Sequence, residues 1–282
     1  MTLHHTPTLK IHEYSARAIR PDTKPRVVLV HGALDRSTSF VRMVKLLINL
    51  GVDCISYDRR GYNDSPLGPP FSSSKVPTID DHVEDLAQII GDRPSVVFGH
   101  SLGGTIALLL AEQNRSPIRA LVTFESPIPW MEFWEKEANY GMELEDLSDP
   151  TLTQNHAEQF MVKMIGTERW NALHLSVRER RRNEGTILVS EMATAKERTP
   201  ALDPSRILVP AIVAYGSTSP QKYRLAADYL QTTLPNAKTA IVEHTDHGVH
   251  LANPTEAVRL IELAYAAISY QDSQLADFRN RT

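Results

Sequence analysis

Two spacings of apolar residues alternate along most of this chain. Short runs rich in β-branched residues, Arg26-Val27-Val28-Leu29-Val30, Cys54 to Tyr57, Ser95 to Phe98, Ala120 to Phe124, Pro210 to Tyr215 and Ala240 to Val242, suit strands buried on both faces. Between them apolar residues recur at helical spacing. Phe40, Val41, Val44, Leu47 and Ile48 form one stripe, closed by Gly51, and Val83, Leu86, Ile89 and Ile90 form the next, opened by Thr78 with Asp81 three residues on. Leu102 to Ala111 is apolar throughout and reads as a buried helix, and a further helix runs near Gln221 to Leu234. The last helix is announced by Asn253 as cap, Pro254 at its first position and Glu256 completing the box, and the polar tail from Gln271 to Thr282 is expected to fray. Leu9 to Ala18 supplies a first antiparallel strand or hairpin at a sheet edge. Pro21 to Pro25 is a linking turn, and Pro66 to Pro77, rich in Pro and Ser, is a loop.

Repeated alternation of this kind requires an α/β fold, a mostly parallel sheet with helices on both faces. It stops between Ile128 and about Pro200, where mixed polar and aromatic helices take over. The expected organisation is therefore a core of residues 1–127 and 201–282 with a helical insertion over 128–200. In such sheets functional groups gather at the carboxyl ends of the strands, where His31, Asp58, Ser101, Glu125, Tyr215 and, after the last strand, His247 fall.

One of these ends carries a recognisable turn. Gly99-His100-Ser101-Leu102-Gly103 joins a buried strand to an apolar helix within a few residues, which strains the backbone at the serine and leaves no room for a Cβ on either flank. Ser101 is thereby held out at the end of the sheet. The N–H of Leu102, unpaired in the first helical turn, is placed to receive a developing negative charge. The plainer alternative is an ordinary strand-to-helix turn whose serine caps the helix.

Composition narrows the field. The 282 residues are 41% hydrophobic with a net charge of -4, which argues against a nucleic-acid surface. No apolar run is long enough to span a bilayer, and Met1 to Pro7 lacks the features of a secretory signal, so a cytoplasmic location is expected. Cys54 is the sole cysteine and reads as a small core residue.

Taken together, the chain from about Leu9 to Ile268 resembles an α/β-hydrolase of the serine esterase or lipase kind. His31-Gly32-Ala33 is similar to the family's oxyanion turn, Asp58-Arg59-Arg60-Gly61 with Ser65 to the loop after the next strand, and Gly99 to Gly103 to the nucleophile elbow. Asp246-His247-Gly248 through Pro254 is similar to the histidine loop, which implies His247 as the catalytic base. There are two departures, of which the first bears on the chemistry. Where many members carry an acid, the turn here is Gly216-Ser217-Thr218-Ser219, and Asn63 replaces a usual glycine after Asp58. The stretch Phe124 to Trp130 resembles the corresponding region of haloalkane dehalogenases, some of which keep their acid there, and this implies Glu125 as the acid. The dehalogenase likeness ends at the chemistry, because their nucleophile is an aspartate and their halide-holding Trp and Asn would fall at Leu102 and Ala33.

The resemblance implies a cofactor-independent hydrolase acting on a small or medium ester with an apolar part: Ser101 as nucleophile, His247 as base, Glu125 as orienting acid, and the N–H groups of Ala33 (or Leu34) and Leu102 as oxyanion hole. A carbon-carbon bond hydrolase using the same triad, and a binding protein that keeps the fold without turnover, are the alternatives. His244, His247 and His250 share no face and no carboxylate cluster, so no metal site is expected, and His31 and His100 read as hydrogen-bonding residues of their turns. Leu34, Trp130, Trp134, Phe160 and Met164 are candidates for an apolar substrate pocket, with core packing as the plainer role for each. The arginines Arg178, Arg180, Arg181 and Arg182 interleave with Glu179 and Glu184 and read as a solvated helix face.

Overall fold

Why the apolar runs become strands is visible in what covers them. In the computed structural model, which describes residues 9–16, 24–65, 67, 76–134 and 141–279, seven strands form one sheet in the order β1-β3-β2-β4-β5-β6-β7. These are β1 (Ile11–Tyr14), β2 (Arg26–Val30), β3 (Cys54–Tyr57), β4 (Ser95–His100), β5 (Ile118–Phe124), β6 (Ala211–Gly216) and β7 (Ala237–Val242). Only β1 is antiparallel, pairing Ile11 with Tyr57 at the edge; every other pairing is parallel. Parallel strands need crossover helices, and these bury both faces. Val28 and Val30 accordingly pack with α2 (Ile79–Ile90), α3 (Leu102–Glu112) and, later in the chain, the helix Gln221–Thr233. Val27 and Leu29 point the other way, toward α1 (Val41–Asn49) and the C-terminal helix Pro254–Arg279. Cys54 lies in this second cluster, and burial pushes its thiol up to about 12.

Local signals act as expected at α2, where Thr78 and Asp81 satisfy each other's backbone N–H groups. Two ends differ from expectation. β7 begins at Ala237, because Ala237 to Ala240 continue in register with Ala211 to Ala214. The last helix also persists to Arg279 instead of fraying from Gln271; Asp272 on it accepts from Arg119 of β5 through both carboxylate oxygens at 2.8 Å. The turn expected over Pro21 to Pro25 and the loop over Pro66 to Pro77 lie mostly outside the described residues.

Between β5 and β6 the chain builds α4 (Pro150–Ile165), α5 (Thr167–Ala172), α6 (Leu175–Asn183) and α7 (Gly185–Lys196). Their apolar residues form a third cluster with Leu34 and Tyr62. None of α6 is buried, and Arg180 and Arg182 bond to Asn63 and Glu158 on its flanks. The later helices are α8 (Gln221–Thr233), α9 (Val249–Ala252) and α10 (Pro254–Arg279). Among the described residues no helix is long and apolar enough to cross a membrane.

Strand order reverses between β2 and β4: from β2 the chain proceeds to β3 on one side, and from β4 to β5 on the other. The ends of these two adjacent strands, His31-Gly32-Ala33 and Ser101, thus open onto the crevice that a topological switch point creates.

Candidate active site

Ser101 sits between β4 and α3 with φ +52°, in the left-handed region that a residue with a Cβ rarely adopts. Its N–H donates to the Phe124 carbonyl at 2.9 Å, which ties the turn to the neighbouring strand. Space explains the glycines around it. A Cβ on Gly103 would stand 2.2 Å from the Val30 carbonyl oxygen, and one on Gly104 would stand 1.7 Å from Ser126 Oγ. The helix therefore starts directly against the adjoining strand ends. Ser101 is 8% exposed and faces a cleft.

Glu125 follows β5 with φ +51°, the same unusual backbone as Ser101 one strand away. Its Oε2 accepts from His247 Nδ1 at 2.7 Å, and its Oε1 accepts from the Gly216 N–H at 2.8 Å. The turn that lacks an acid of its own thus contributes a backbone donor to the carboxylate beside it. Ser219 Oγ, in the same turn, is buried without a hydrogen-bond partner among the described residues. Asp246, next to His247 in sequence, accepts from the Gly248 N–H. With Nδ1 donating to Glu125, His247 has Nε2 left to accept a proton.

His247 is held on further sides. Its carbonyl lies 2.6 Å from His100 Nε2, and its ring stacks on Tyr223 at 5.0 Å between centroids. Burial, together with repulsion from His250 and His247, holds His100 well below its ordinary pKa, so it is neutral. Asp35, His100 and His250 form the one grouping of metal-ligand type among the described residues, with ligand atoms within 4.8 Å of one another. Within it His100 Nε2 is 2.6 Å from the His247 carbonyl and His250 Nε2 is 3.2 Å from Asp35, while His100 Nδ1 and His250 Nδ1 have no hydrogen-bond partner among the described residues.

In the turn after β2, His31 is fully buried. The Arg59 N–H donates to its Nε2 at 2.9 Å, so the ring proton is on Nδ1, which donates to the Gly32 carbonyl at 2.8 Å. Burial and the Arg59 charge lower its pKa to about 3. Asn63, where a glycine is usual, has φ +44° and donates to Asp58.

The cleft at Ser101 has about 60 Å³ of free volume. Its walls are Leu102, Pro127, Pro129 and Tyr223 on the sheet side, and Met142, Phe160, Met164 and Met192 on the helical side, with Trp134 between them. Lys196 and Glu143 line it too and pair across 3.3 Å. Of the five pocket candidates, Trp134, Phe160 and Met164 line this cleft. Leu34 and Trp130 do not: Leu34 is consumed by the third apolar cluster and Trp130 packs against the sheet core. Met192, from the same stretch rich in aromatics and methionines, lines the cleft as well, whereas sequence reasoning missed Tyr223 and Met142. Tyr223 carried only the signal of a buried helix residue, the same as its core neighbours Ala226 and Leu230.

Comparison with known proteins bears on the fold and on relatives. Residues 25–254 match the family described as the alpha/beta hydrolase fold. The AB hydrolase superfamily protein YfhM of Bacillus subtilis is 24% identical over 254 residues, covering 84% of this chain and 88% of that protein. The sn-1-specific diacylglycerol lipase ABHD11 of Mus musculus is 32% identical over 108 residues, 38% of this chain and 34% of that one. The structure of MenH from S. aureus superposes with a TM-score of 0.70 at 19% identity, covering 91% of this chain and 99% of that one.

Proposed function

The chain belongs to the alpha/beta hydrolase fold family, and on that footing we propose that it is a serine hydrolase cleaving small or medium carboxylic esters with an apolar moiety. In this reading Ser101 Oγ attacks the ester carbonyl while His247 Nε2 takes its proton. Glu125 keeps the ring in the tautomer with the proton on Nδ1 and stabilises the imidazolium. The tetrahedral oxyanion is held by the N–H groups of Ala33 and Leu102. Collapse breaks the bond to the alkoxide, which leaves with the proton from His247. A water then attacks the acyl-Ser101, again with His247 as base, and releases the carboxylic acid. The route uses side chains, backbone and water alone.

The observation that carries the reading is the 2.7 Å contact between His247 Nδ1 and the fully buried Glu125 carboxylate, in an apolar cleft that also presents Ser101. We assign the helical segment over 128–200 as a cap on that cleft. Its methionines, unbranched and with three rotatable bonds, change shape cheaply, which lets a narrow cleft admit an acyl chain. The test is turnover of nitrophenyl esters from acetate to decanoate by wild type and Ser101→Ala. Expected are a rise in kcat/KM with chain length, at most about 0.8 kcal/mol per buried CH₂, until the cleft is full, and a loss approaching 10⁶ in kcat for the variant. A variant that keeps a tenth of wild-type turnover would overturn the assignment.

A further inference from the structure

A buried ion pair runs from the helical segment to the turn that carries the oxyanion donor. Arg59, fully buried after β3, donates from Nε to the His31 carbonyl and from Nη2 to the Gly32 carbonyl, each at 3.0 Å. On its other side Nη1 donates to Oε2 of Glu191 on α7 at 2.6 Å, with Nη2 at 3.4 Å from Oε1. Glu191 is likewise fully buried, accepts from the Tyr62 hydroxyl and lies 3.4 Å from His82 Nε2. Burial alone would raise its pKa, but the charge of Arg59 and the contact with His82 hold it down at about 2. The pair is therefore charged, and it is the only carboxylate pair with an Arg or Lys among the described residues in which both side chains are wholly excluded from solvent.

What Arg59 grips matters more than the pair itself. A trans peptide is planar, with C=O and N–H pointing in opposite directions. Fixing the Gly32 carbonyl therefore fixes the direction of the Ala33 N–H, away from the guanidinium. Ser101 lies close against this turn, since a Cβ on Gly32 would be 2.9 Å from Ser101 Cβ. The neutral His31 ring donates to the same Gly32 carbonyl, so two donors hold one peptide.

We propose that Arg59 is a positioning residue for the oxyanion hole, and that Glu191 of the cap holds Arg59 in place, so that docking of α7 on the core sets the Gly32–Ala33 peptide. This rests on the serine-hydrolase reading for its effect on rate, though not for its effect on the peptide. The lysine in Arg59→Lys keeps a charge for Glu191 but cannot reach both carbonyls and the carboxylate, because it lacks the planar fork. Glu191→Gln keeps the shape and removes the charge.

The experiment has two arms on wild type and both variants. In the first, the amide resonances of Gly32 and Ala33 are followed by NMR; they move in both variants while resonances of β6 and β7 stay. In the second, ester turnover is measured per active site titrated, together with affinity for a boronic acid that forms the tetrahedral adduct. Losing an oxyanion donor outright costs about 10² to 10³ in rate, so Arg59→Lys should lose about tenfold to a hundredfold in kcat, with KM within about threefold and boronate affinity falling in step. Glu191→Gln should lose less, in the same pattern. A merely structural role would lower melting temperature and the titrated fraction while leaving kcat per site unchanged. Should Arg59→Lys not fold, the isosteric Glu191→Gln decides. Variants with unmoved Gly32 and Ala33 resonances, or kcat within twofold of wild type, overturn the proposal. An inert wild type would instead sink the hydrolase reading, with the resonance arm still deciding the role of Arg59.

Discussion

At the carboxyl ends of β4 and β5 the backbone has almost no freedom, whereas the wall of the cleft opposite them is made of side chains that do. Ser101 and Glu125 both have positive φ, and the groups around them leave no space for even one added carbon at Gly103 or Gly104. Across the cleft stand Met142, Phe160, Met164 and Met192, whose shape is set by rotamers. In the proposed reaction Ser101 and Glu125 need placement to a fraction of an ångström, and backbone crowding supplies it. Accommodation of an apolar chain needs give, and unbranched thioethers supply that. The buried Arg59–Glu191 pair is the exception in the helical segment: a rigid contact where that segment meets the turn after β2.

The sharpest way to break this contrast is Glu125→Gln. An amide there neither fixes the His247 tautomer nor stabilises the imidazolium, and kcat should fall by about 10⁴ with the melting temperature nearly unchanged. Ser219→Ala, in the turn where an acid is more usual, should do little to steady-state turnover. Near-normal kcat in the glutamine variant would remove Glu125 from the site. Next in size is Gly103→Ala. Its Cβ meets the Val30 carbonyl at 2.2 Å, and overpacking of that kind costs about 1–3 kcal/mol, readable as a lower urea midpoint. Met164→Leu, on the soft wall, should cost less than about 1.5 kcal/mol; equal losses at the two positions would dissolve the distinction.

Acid should act on the rigid side. His31, His82 and His100 are buried, and burial, with like charge nearby, lowers each below 6.5, His31 to about 3. The unfolded chain then binds more protons than the folded one below about pH 6.5, so stability is full above that pH and declines as pH falls toward 3. Melting temperature measured from pH 7.5 to 4 should fall through this window. Little of that fall should come from Glu191, whose depressed pKa of about 2 means its contribution is present above the ordinary glutamate value of 4.5 and drains away only below it. A flat profile between pH 6.5 and 5 would contradict the placement of these histidines.

Sequence reading reached the sheet, the helices on both faces and the elbow because each rests on a local rule: apolar runs, helical spacing, or glycines that crowding demands. Glu125 was legible from its position at a strand end. Tyr223 was not, since a helix residue that stacks on His247 looks the same in sequence as one that fills the core. The link from Arg59 to Glu191 spans 132 positions and depends on how α7 docks, which no local pattern encodes. Trp130 was placed near a pocket by the aromatic composition of its stretch and Leu34 by its position beside Ala33, and both lie in apolar packing outside the lining of the cleft.

The central claim is that Ser101 is a nucleophile activated by His247, and covalent labelling reads it most directly. Wild type, Ser101→Ala and His247→Ala are treated with a fluorophosphonate, and the adduct is located by mass spectrometry of peptides. Stoichiometric modification of wild type at Ser101 is expected, with none in Ser101→Ala and labelling of His247→Ala slowed by orders of magnitude. A folded wild type left unmodified, or modified at another residue, would contradict it.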